Sequence, residues 1–201
     1  MSFHIVGLFS LLLIFASFYF YGEHFLNEVE YVKSTVDDMY YLVRNLPDKQ
    51  QASDLLASVN IRIKKLLKYL REKYYNDPNI LRLFRNYNEH QISESSPDSK
   101  YTSYSVNKGE KIVFCVRQRE SNNNRLMDIN TMMFVAIHEL SHLMSISVGH
   151  TDEFWLNMKF LLKEAINCPE RIYRYVPYHS KPQKYCGTVI TDTPYKLPKR
   201  L

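Results

Sequence analysis

The sequence is poor in glycine and cysteine, and both shortages argue against whole classes of protein. Among 201 residues there are 5 Gly, and neither a GxGxxG nor a Walker sequence occurs, so nucleotide-dependent chemistry is not expected. The 3 Cys include no CxxC pair, which argues against a zinc ribbon or a thioredoxin-like site. The length suits one catalytic domain with an appendage. Any chemistry is therefore to be sought among the 7 His residues.

Basic residues are missing from the start of the chain, where no Lys or Arg precedes Lys33. Residues 5–20 (IVGLFSLLLIFASFYF) form an uncharged run close to the minimum length of a membrane-spanning helix. A cleaved signal peptide needs a basic start and small residues at its cleavage site, whereas this run ends in aromatic residues typical of a membrane interface. We predict an uncleaved single-pass transmembrane anchor over residues 4–21, with a cleaved signal peptide and a buried core helix as alternatives. Its orientation is not set, because the positive-inside rule has no charge to act on.

Acidic residues are scarce between Arg62 and Arg85, where the sequence has eight basic residues and only two acidic ones, Glu72 and Asp77. Such a stretch suits a contact with nucleic acid or with an anionic lipid surface. It equally suits a solvated helix face, which is the commoner case and the one we favour. A nucleic-acid partner therefore has only weak support from the sequence.

Apolar residues three and four positions apart from Phe25 to Leu46 predict an amphipathic helix within residues 22–50. That helix would either pair with a copy of itself as a stalk or pack against the remaining domain, residues 51–201. The sequence does not indicate an oligomeric state.

The next segments predict helices followed by strands. Ser53 and Asp54 are suited to cap a second helix, and a helical turn is expected at residues 80–87. Residues 91–100 are polar and predict a loop. The pattern then changes to strand, turn and strand, at residues 101–106, 107–109 and 111–117.

A further helix, with Asp128 as its N-cap, carries the chemistry. Residues 138–142 read HELSH, which is the HExxH pattern. Its spacing places His138 and His142 on one face of a helix, one turn apart, so both imidazoles can reach one metal ion. Glu139 projects to one side of that pair. Apolar residues occupy the opposite face, which can therefore be buried.

A third protein ligand is expected, because catalytic zinc sites commonly use three and keep a fourth position for water. His150 is the candidate, because Gly149 can adopt the left-handed conformation that turns the chain back toward the helix. Thr151 then caps a new helix. If His150 does not serve, Glu153 and Glu164 on that helix are the alternatives.

The stretches IVFCVRQR and DINTMMFVAIHELSHLMSISVGHTDEFW resemble the WLM and SprT-like zincin metallopeptidases. In that family a strand precedes the HExxH helix, and a third histidine lies shortly before a Phe-Trp or similar pair, here Phe154 and Trp155. The segment NYNEHQISE is also similar in character, so the resemblance spans about residues 53–165. It implies an α+β, zincin-like catalytic domain with a small β-sheet and an active-site helix. Other helices and the transmembrane helix would precede that domain.

These residues predict metal-assisted hydrolysis of peptide bonds in a protein or peptide substrate, with Zn²⁺ as the cofactor. Glu139 is the candidate general base, which takes a proton from the activated water and passes it to the leaving amine. A donor to the developing oxyanion is expected among Tyr178, His179 and Tyr185, of which we prefer Tyr185. From the resemblance, the strand at residues 111–117 would lie at the sheet edge and hold an extended substrate by strand addition.

Two other functions are open. The chain would in one case be a non-enzymatic, membrane-tethered zinc-binding module, in which the metal stabilises a small fold and partners bind the basic stretch. In the other, the same protease would act on DNA-bound proteins, which the basic stretch favours and the anchor opposes.

The cysteines allow one disulfide. Cys168 and Cys186 are predicted to be bonded if the domain faces an oxidising compartment. Cys115 lies in a predicted strand and is expected to be a small buried residue. Cys186 as a zinc ligand is a less favoured alternative, because it would leave the placement of His150 unexplained.

The composition also bears on origin. Asn, Lys, Ile and Tyr are abundant and Gly is scarce, as in proteins encoded by AT-rich genomes. Such coding is common in large DNA viruses, so we interpret the chain as viral.

Overall fold

The computed structural model describes residues 10–18, 28–119 and 125–197. Residues 10–18 are helical. Eleven further elements follow in chain order: β1 (Val29–Lys33), β2 (Tyr40–Arg44), α1 (Lys49–Lys73), α2 (Pro78–Asn86), β3 (Ile92–Glu94), β4 (Ser103–Val106), β5 (Lys111–Phe114), α3 (Ile129–Met144), α4 (Asp152–Asn167), β6 (Gln183–Tyr185) and β7 (Thr188–Ile190). The protein is therefore of mixed α+β class, as predicted.

Five strands form one sheet in the order β1-β2-β3-β5-β4, and β6 pairs with β7 separately. The central pairs β2–β3 and β3–β5 are parallel, whereas the outer pairs β1–β2 and β4–β5 are antiparallel. Helix α1 packs on β1, β2 and β3, and α3 packs between α2, α4 and α1 beside β4. This arrangement buries all but one side of α3 and leaves β4 at the sheet edge next to it.

The predicted helix within residues 22–50 is wrong for residues 29–44, which form the β1–β2 hairpin. Both strands are rich in valine and tyrosine, which suit a pleated surface. Tyr41 and Val43 lie in the core and alternate with more exposed neighbours. Buried residues therefore recur at every second position, as in a strand, and not at the helical spacing of three and four. Asp38, with φ of 61°, lies in the turn between the strands. Residues 22–27 lie outside the described residues.

The second helix begins at Lys49, with Asp48 at the N-cap position, so the prediction that Ser53 and Asp54 cap it is wrong. Both side chains serve tertiary contacts from inside the helix. Ser53 Oγ donates to the carbonyl oxygen of Val32 at 2.9 Å, and Asp54 accepts from the hydroxyl of Ser34 at 2.8 Å. These contacts attach α1 to the β1–β2 hairpin.

The short helix α2 and the β4–β5 hairpin agree with prediction. The predicted loop at residues 91–100 is wrong at its start, because Ile92–Glu94 form the buried strand β3 between β2 and β5. The strand at residues 111–117 was expected at the sheet edge. Its paired part, β5, instead lies inside the sheet, and β4 is the edge strand. The strand β3 has only three residues and polar neighbours, so its pattern is too short to be recognised from the sequence.

A buried ion pair joins the sheet to the start of α1. Arg117 and Glu94 are both buried, and the Arg117 guanidinium donates to the Glu94 carboxylate. Its other terminal nitrogen donates to Asp48 Oδ1 at 2.8 Å. The second oxygen of Glu94 accepts from the backbone N–H of Arg44 at 2.7 Å. One carboxylate thus connects β2, β3 and the segment after β5.

The predicted disulfide between Cys168 and Cys186 is wrong: Cys186 is bonded to Cys115, and Cys168 is a buried free thiol. Cys115 directly follows β5, and Cys186 lies in the turn between β6 and β7. Which cysteines approach each other depends on how the chain after α4 returns to the sheet, and no local pattern encodes that path.

Within the described ranges, no helix is long and apolar enough to cross a membrane. The predicted anchor at residues 4–21 contributes only residues 10–18 to those ranges, and its other residues lie outside them. The anchor and the single-pass membrane localisation stay predictions.

We expect the Cys115→Ala/Cys186→Ala variant to lose stability, because the bond closes a loop with a sequence separation of 71 residues. By loop-closure entropy the free energy of unfolding should fall by about 4 kcal/mol. Urea denaturation followed by circular dichroism measures this. The matched control is Cys168→Ala, which removes a free thiol and should cost much less. Equal stability of the double variant and the wild type would contradict the cross-link.

Removing one partner of the buried ion pair should be more harmful than removing both. Arg117→Met leaves the Glu94 carboxylate without its charged partner and should cost about 3–5 kcal/mol. Arg117→Met combined with Glu94→Gln should recover part of that loss, since no buried charge is then unpaired. The same denaturation experiment applies, and additive losses would refute the coupling.

Candidate metal centre

Helix α3 positions the first two histidines. Asp128 caps it as predicted: its carboxylate accepts from the N–H groups of Asn130 at 2.9 Å and Thr131 at 3.1 Å. His138 and His142 lie one turn apart, with ring centroids separated by 5.0 Å. Twelve of the sixteen residues of α3 are buried, but these two imidazoles are only half-buried. The helix therefore holds both rings rigidly at the surface of a cleft.

The loop after α3 brings the third histidine to this pair. Gly149 adopts φ of 84°, the left-handed conformation expected from the sequence. The Nε2 atoms of His150 and His138 lie 3.1 Å apart, and the ring centroids of His150 and His142 lie 5.0 Å apart. Thr151 then caps α4, and its side chain accepts from the N–H of Phe154.

The three imidazoles form a group that can hold a metal ion. One nitrogen from each of His138, His142 and His150 lies within 4.8 Å of the others. The alternative ligands are engaged elsewhere: Glu153 accepts from the loop after α3, and Glu164 accepts from Lys73 at 2.7 Å. The structure thus brings together the three histidines that the sequence singled out.

Burial makes the imidazoles poor bases. It lowers the pKa of His138 to about 3, with further contributions from His142 and His150. It also lowers the pKa of His142 to about 4. Both rings are therefore uncharged at neutral pH, which is the form that ligates metal ions.

Glu139 supplies the test of whether the site suits a cation. Its side chain is buried, and its Oε2 has no hydrogen-bond partner in the described part of the chain. Burial raises the pKa of this carboxyl group to about 7, although contacts with Ser105 oppose the shift. A cation would compensate the burial of this carboxylate, whose Oε2 has no hydrogen-bond partner, and imidazole nitrogens are ligands that Zn²⁺ prefers. The residues present therefore fit zinc.

A cavity of about 540 Å³ opens onto the three histidines and Glu139. One wall is β4 with the turn after it, and the other is the loop before α4. The lining residues from these two walls are Ser103, Tyr104, Ser105, Asn107, Lys108, Ser147, Val148 and Gly149. The metal centre thus faces an edge strand across an open cleft.

Phe154 supports the histidines from beneath. It is fully buried, and its ring centroid lies 4.8 Å from that of His138, 4.4 Å from His142 and 4.7 Å from His150. Trp155 lies against the outer side of His150, at 5.6 Å. The Phe-Trp pair that marks the family resemblance therefore has a physical task, which is to fix the ring orientations.

Two charged residues hold the loop that carries His150, and sequence reasoning missed this role. Lys108 Nζ donates to the carbonyl oxygens of Ser145, Ile146 and Ser147 at 2.6, 2.6 and 2.7 Å. Glu153 accepts from the N–H groups of Ile146 at 2.8 Å and Ser147 at 2.9 Å, and also from the Ser147 hydroxyl. These hydrogen bonds lower the pKa of Glu153 to about 2. Lys108 is 37 or more positions from its partners, so no local signal predicts the contact.

The candidate oxyanion donors are not brought to the cavity. Tyr185 is buried, and its hydroxyl is hydrogen-bonded to Ser103, behind the wall that β4 forms. Tyr178 is buried against Phe134, with ring centroids 4.6 Å apart, and His179 is exposed. None of the three lines the cavity that contains Glu139. The assignment of Tyr185 gains no support from the geometry.

The fold and the site together define an α+β protein in which two histidines of an HExxH helix and a third on the following loop form a group that can hold a metal ion. No family model matches the chain. It is 35% identical over 192 residues to uncharacterized protein R325 of Acanthamoeba polyphaga mimivirus, an alignment that covers 94% of this chain and 95% of the relative. The chain belongs to the same family as this mimivirus protein.

Two shorter similarities are also to viral proteins. Protein 136R of Invertebrate iridescent virus 6 is 33% identical over 63 residues, which is 31% of this chain and 35% of that protein. Protein 042R of Invertebrate iridescent virus 3 is 45% identical over 65 residues, which is 32% of this chain and 38% of that protein. The interpretation of the composition as viral agrees with these relatives.

Among solved structures, the chain is similar to Wss1 from Saccharomyces cerevisiae. The TM-score is 0.48 at 18% identity, over 64% of this chain and 88% of that chain. A Wss1 mutant from the same organism gives a TM-score of 0.48 at 17% identity, over 64% of this chain and 90% of that chain.

Releasing the loop should weaken metal binding. We expect Lys108→Met and Glu153→Gln each to lower the affinity for Zn²⁺ about 10- to 100-fold, because the loop then no longer holds His150 against the other ligands. Competition with a chromophoric chelator measures the affinity. Lys108→Arg should retain more affinity than Lys108→Met.

The matched control for these variants is Lys159→Met, which removes an exposed lysine on α4 that lines neither wall of the cavity. Unchanged zinc affinity in both Lys108→Met and Glu153→Gln would show that the loop needs no such support.

Proposed function

We propose that the protein is a zinc-dependent metallopeptidase that hydrolyses peptide bonds of protein substrates. One observation carries the proposal: the imidazoles of His138, His142 and His150 converge beside the buried carboxylate of Glu139, whose Oε2 has no hydrogen-bond partner in the described chain. The resemblance of the surrounding stretches to the WLM and SprT-like zincins supports it.

His138, His142 and His150 would hold the zinc ion. When bound, zinc supplies Lewis-acid chemistry, lowering the pKa of water to about 7 and polarising a carbonyl group. The chain contributes rigidity, because two ligands stand on a buried helix and the third on a loop fixed by Lys108 and Glu153. Phe154 excludes water from beneath the rings.

Glu139 moves the proton. Its Oε2 is free to accept one from the attacking water, since no hydrogen bond in the described chain occupies that atom. The same oxygen then returns the proton to the nitrogen of the leaving amine. Burial raises the pKa of this group to about 7, and a cation bound beside it would favour the ionised form that accepts the proton.

The edge strand β4 would bind the substrate. Its backbone pairs with β5 on one side, and no described strand pairs with its other side. Because β4 also forms a wall of the cavity, an extended peptide added to this edge would pass over the metal centre. This assigns to β4 the task that the sequence reasoning gave to the strand at residues 111–117.

The structure bears on the alternative that the protease acts on DNA-bound proteins. Much of the basic stretch between Arg62 and Arg85 is engaged within the protein. Arg62 and Arg82 donate to the carbonyl oxygens of Ile172 and Met144, whereas Lys64 and Lys73 pair with Glu89 and Glu164. These contacts favour the solvated structural face over a nucleic-acid surface, and so count against DNA-bound proteins as the substrates.

The non-enzymatic zinc module is the weaker alternative for a separate reason. A purely structural zinc site usually closes its fourth position with Cys or His. In the described chain the group beside the three histidines is instead the carboxylate of Glu139, and burying its Oε2 without a hydrogen-bond partner brings a structural site no benefit.

The decisive experiment compares full-length wild type with Glu139→Gln, which removes the base and keeps the side-chain shape. We expect one zinc per chain in both proteins by elemental analysis. Cleavage of an unfolded protein should fall about 10²- to 10⁴-fold in Glu139→Gln, and a chelator should block the wild type. Glu72→Gln, an exposed acid on α1, is the matched control and should behave as wild type.

Three outcomes would count against the proposal. Zinc in both proteins without cleavage of any unfolded protein by either would indicate the tethered module. Equal cleavage by wild type and Glu139→Gln would remove Glu139 from the reaction. Absence of bound metal from the wild type would overturn the site itself.

A further inference from the structure

A second cavity meets the metal centre at His138. It has a volume of about 370 Å³ and is lined by Phe134, His138, Trp155 and Met158, with the segment Asp192, Thr193 and Pro194 completing it. Among the residues that the structure describes, His138 alone lines both this cavity and the cleft beside β4. If β4 holds a substrate over the metal, a side chain of that substrate next to the cleaved bond could therefore enter this cavity.

The walls of this second cavity are apolar and aromatic. Phe134 and Met158 are buried and belong to the core, so they form a fixed surface. Trp155 is 43% exposed, an unusual state for the largest apolar side chain, and its ring lies 5.0 Å from that of Phe154. An exposed indole held in place by a buried ring is already in position to receive an apolar group, at little further cost in conformational entropy.

The one carboxylate among these lining residues is exposed. Asp192 is exposed, and its Oδ1 accepts from the N–H of Thr193 at 2.7 Å. The carboxylate is thus engaged with its own segment. The interior of the cavity offers mainly hydrocarbon and ring surface, which favours an uncharged occupant.

The volume is suited to one large side chain. Cavities that bind small molecules span about 300–1,000 Å³, so 370 Å³ lies at the lower end of that range. A substrate side chain also arrives attached to a backbone that the edge strand holds, which places it directly against His138. These observations favour a single aromatic or large aliphatic residue as the occupant.

We propose that this second cavity is the specificity pocket of the enzyme, which selects substrates with an aromatic or large aliphatic residue next to the cleaved bond. The inference rests on the proposed peptidase function. Two parts of the chain far apart in sequence form the pocket: α3 and α4 give the aromatic floor and wall, and Asp192–Pro194 close it. The segment after the β6–β7 hairpin thereby determines which peptides are accepted.

The test uses tryptophan-free hexapeptides that are identical except for one central residue, which is Phe, Leu, Ala or Lys. With the full-length zinc protein, kcat/KM for the Phe and Leu peptides should exceed that for the Ala peptide on the order of 10- to 100-fold. The Lys peptide should be no better than the Ala peptide. Trp155→Ala should reduce the ratio of Phe to Ala, whereas Phe84→Ala, which removes an exposed ring lining neither cavity, should leave the ratio unchanged.

A second measurement does not depend on cleavage. The chain contains 1 Trp, so the fluorescence of Trp155 reports directly on this pocket. In Glu139→Gln, the Phe and Leu peptides should shift the emission and bind on the order of 10- to 100-fold more tightly than the Ala peptide.

The outcomes separate the pocket from the peptidase function. Selective binding without cleavage by the wild type would support the pocket and refute the peptidase. Cleavage with equal kcat/KM for the Phe, Leu and Ala peptides would keep the peptidase and overturn the pocket. A preference for the Lys peptide that Asp192→Asn abolishes would also overturn it, because the pocket would then select a basic side chain.

Discussion

The buried ion pair between Arg117 and Glu94 is the interaction on which the arrangement of the sheet depends. Glu94 also accepts from the backbone of Arg44, and Arg117 donates to Asp48 at the start of α1. A charge pair removed from water is tolerated only when most of its polar atoms have partners. Both carboxylate oxygens of Glu94 and both terminal nitrogens of Arg117 have one, and Arg117 Nε has none in the described chain, so few placements of these segments are possible. The pair thus fixes β3 between β2 and β5, and with it the position of β4 as the neighbour of β5 at the edge.

Hydrogen bonds to the C-terminal end of α3 hold the candidate metal centre in place in the same way. The last carbonyl groups of α3 carry partial negative charge, and donors from two other elements meet them and the carbonyl groups that follow. Arg82 and Asn86 of α2 donate to Met144 and Leu143, and Lys108 donates to the carbonyl groups that follow. The end of the HExxH helix is thereby tied to α2 and to the β4–β5 turn. The histidines keep their spacing because the helix end cannot fray.

The sequence was informative wherever a feature is encoded by neighbours in the chain. The HExxH spacing, the caps at Asp128 and Thr151, and the turn at Gly149 are local, and the structure has each of them. The valines of residues 29–44 fit the helical period as well as the period of a strand, so the sequence predicts a helix there, and only pairing in the sheet decides for the hairpin. The disulfide and the contacts of Lys108 join residues more than 35 positions apart, so they follow from topology, which one sequence does not determine.

Burial displaces both kinds of ionisable group in the site toward their uncharged forms. It lowers the pKa of His138 and His142 and raises the pKa of Glu139, so each group bears the cost of leaving water. A cation among the imidazoles reverses the balance, because it binds the uncharged nitrogens and favours the ionised carboxylate. The low dielectric that makes the bare site unfavourable then strengthens the attraction. The core around α3 therefore does more than position the ligands: by excluding water it strengthens the attraction that these residues can have for a divalent cation.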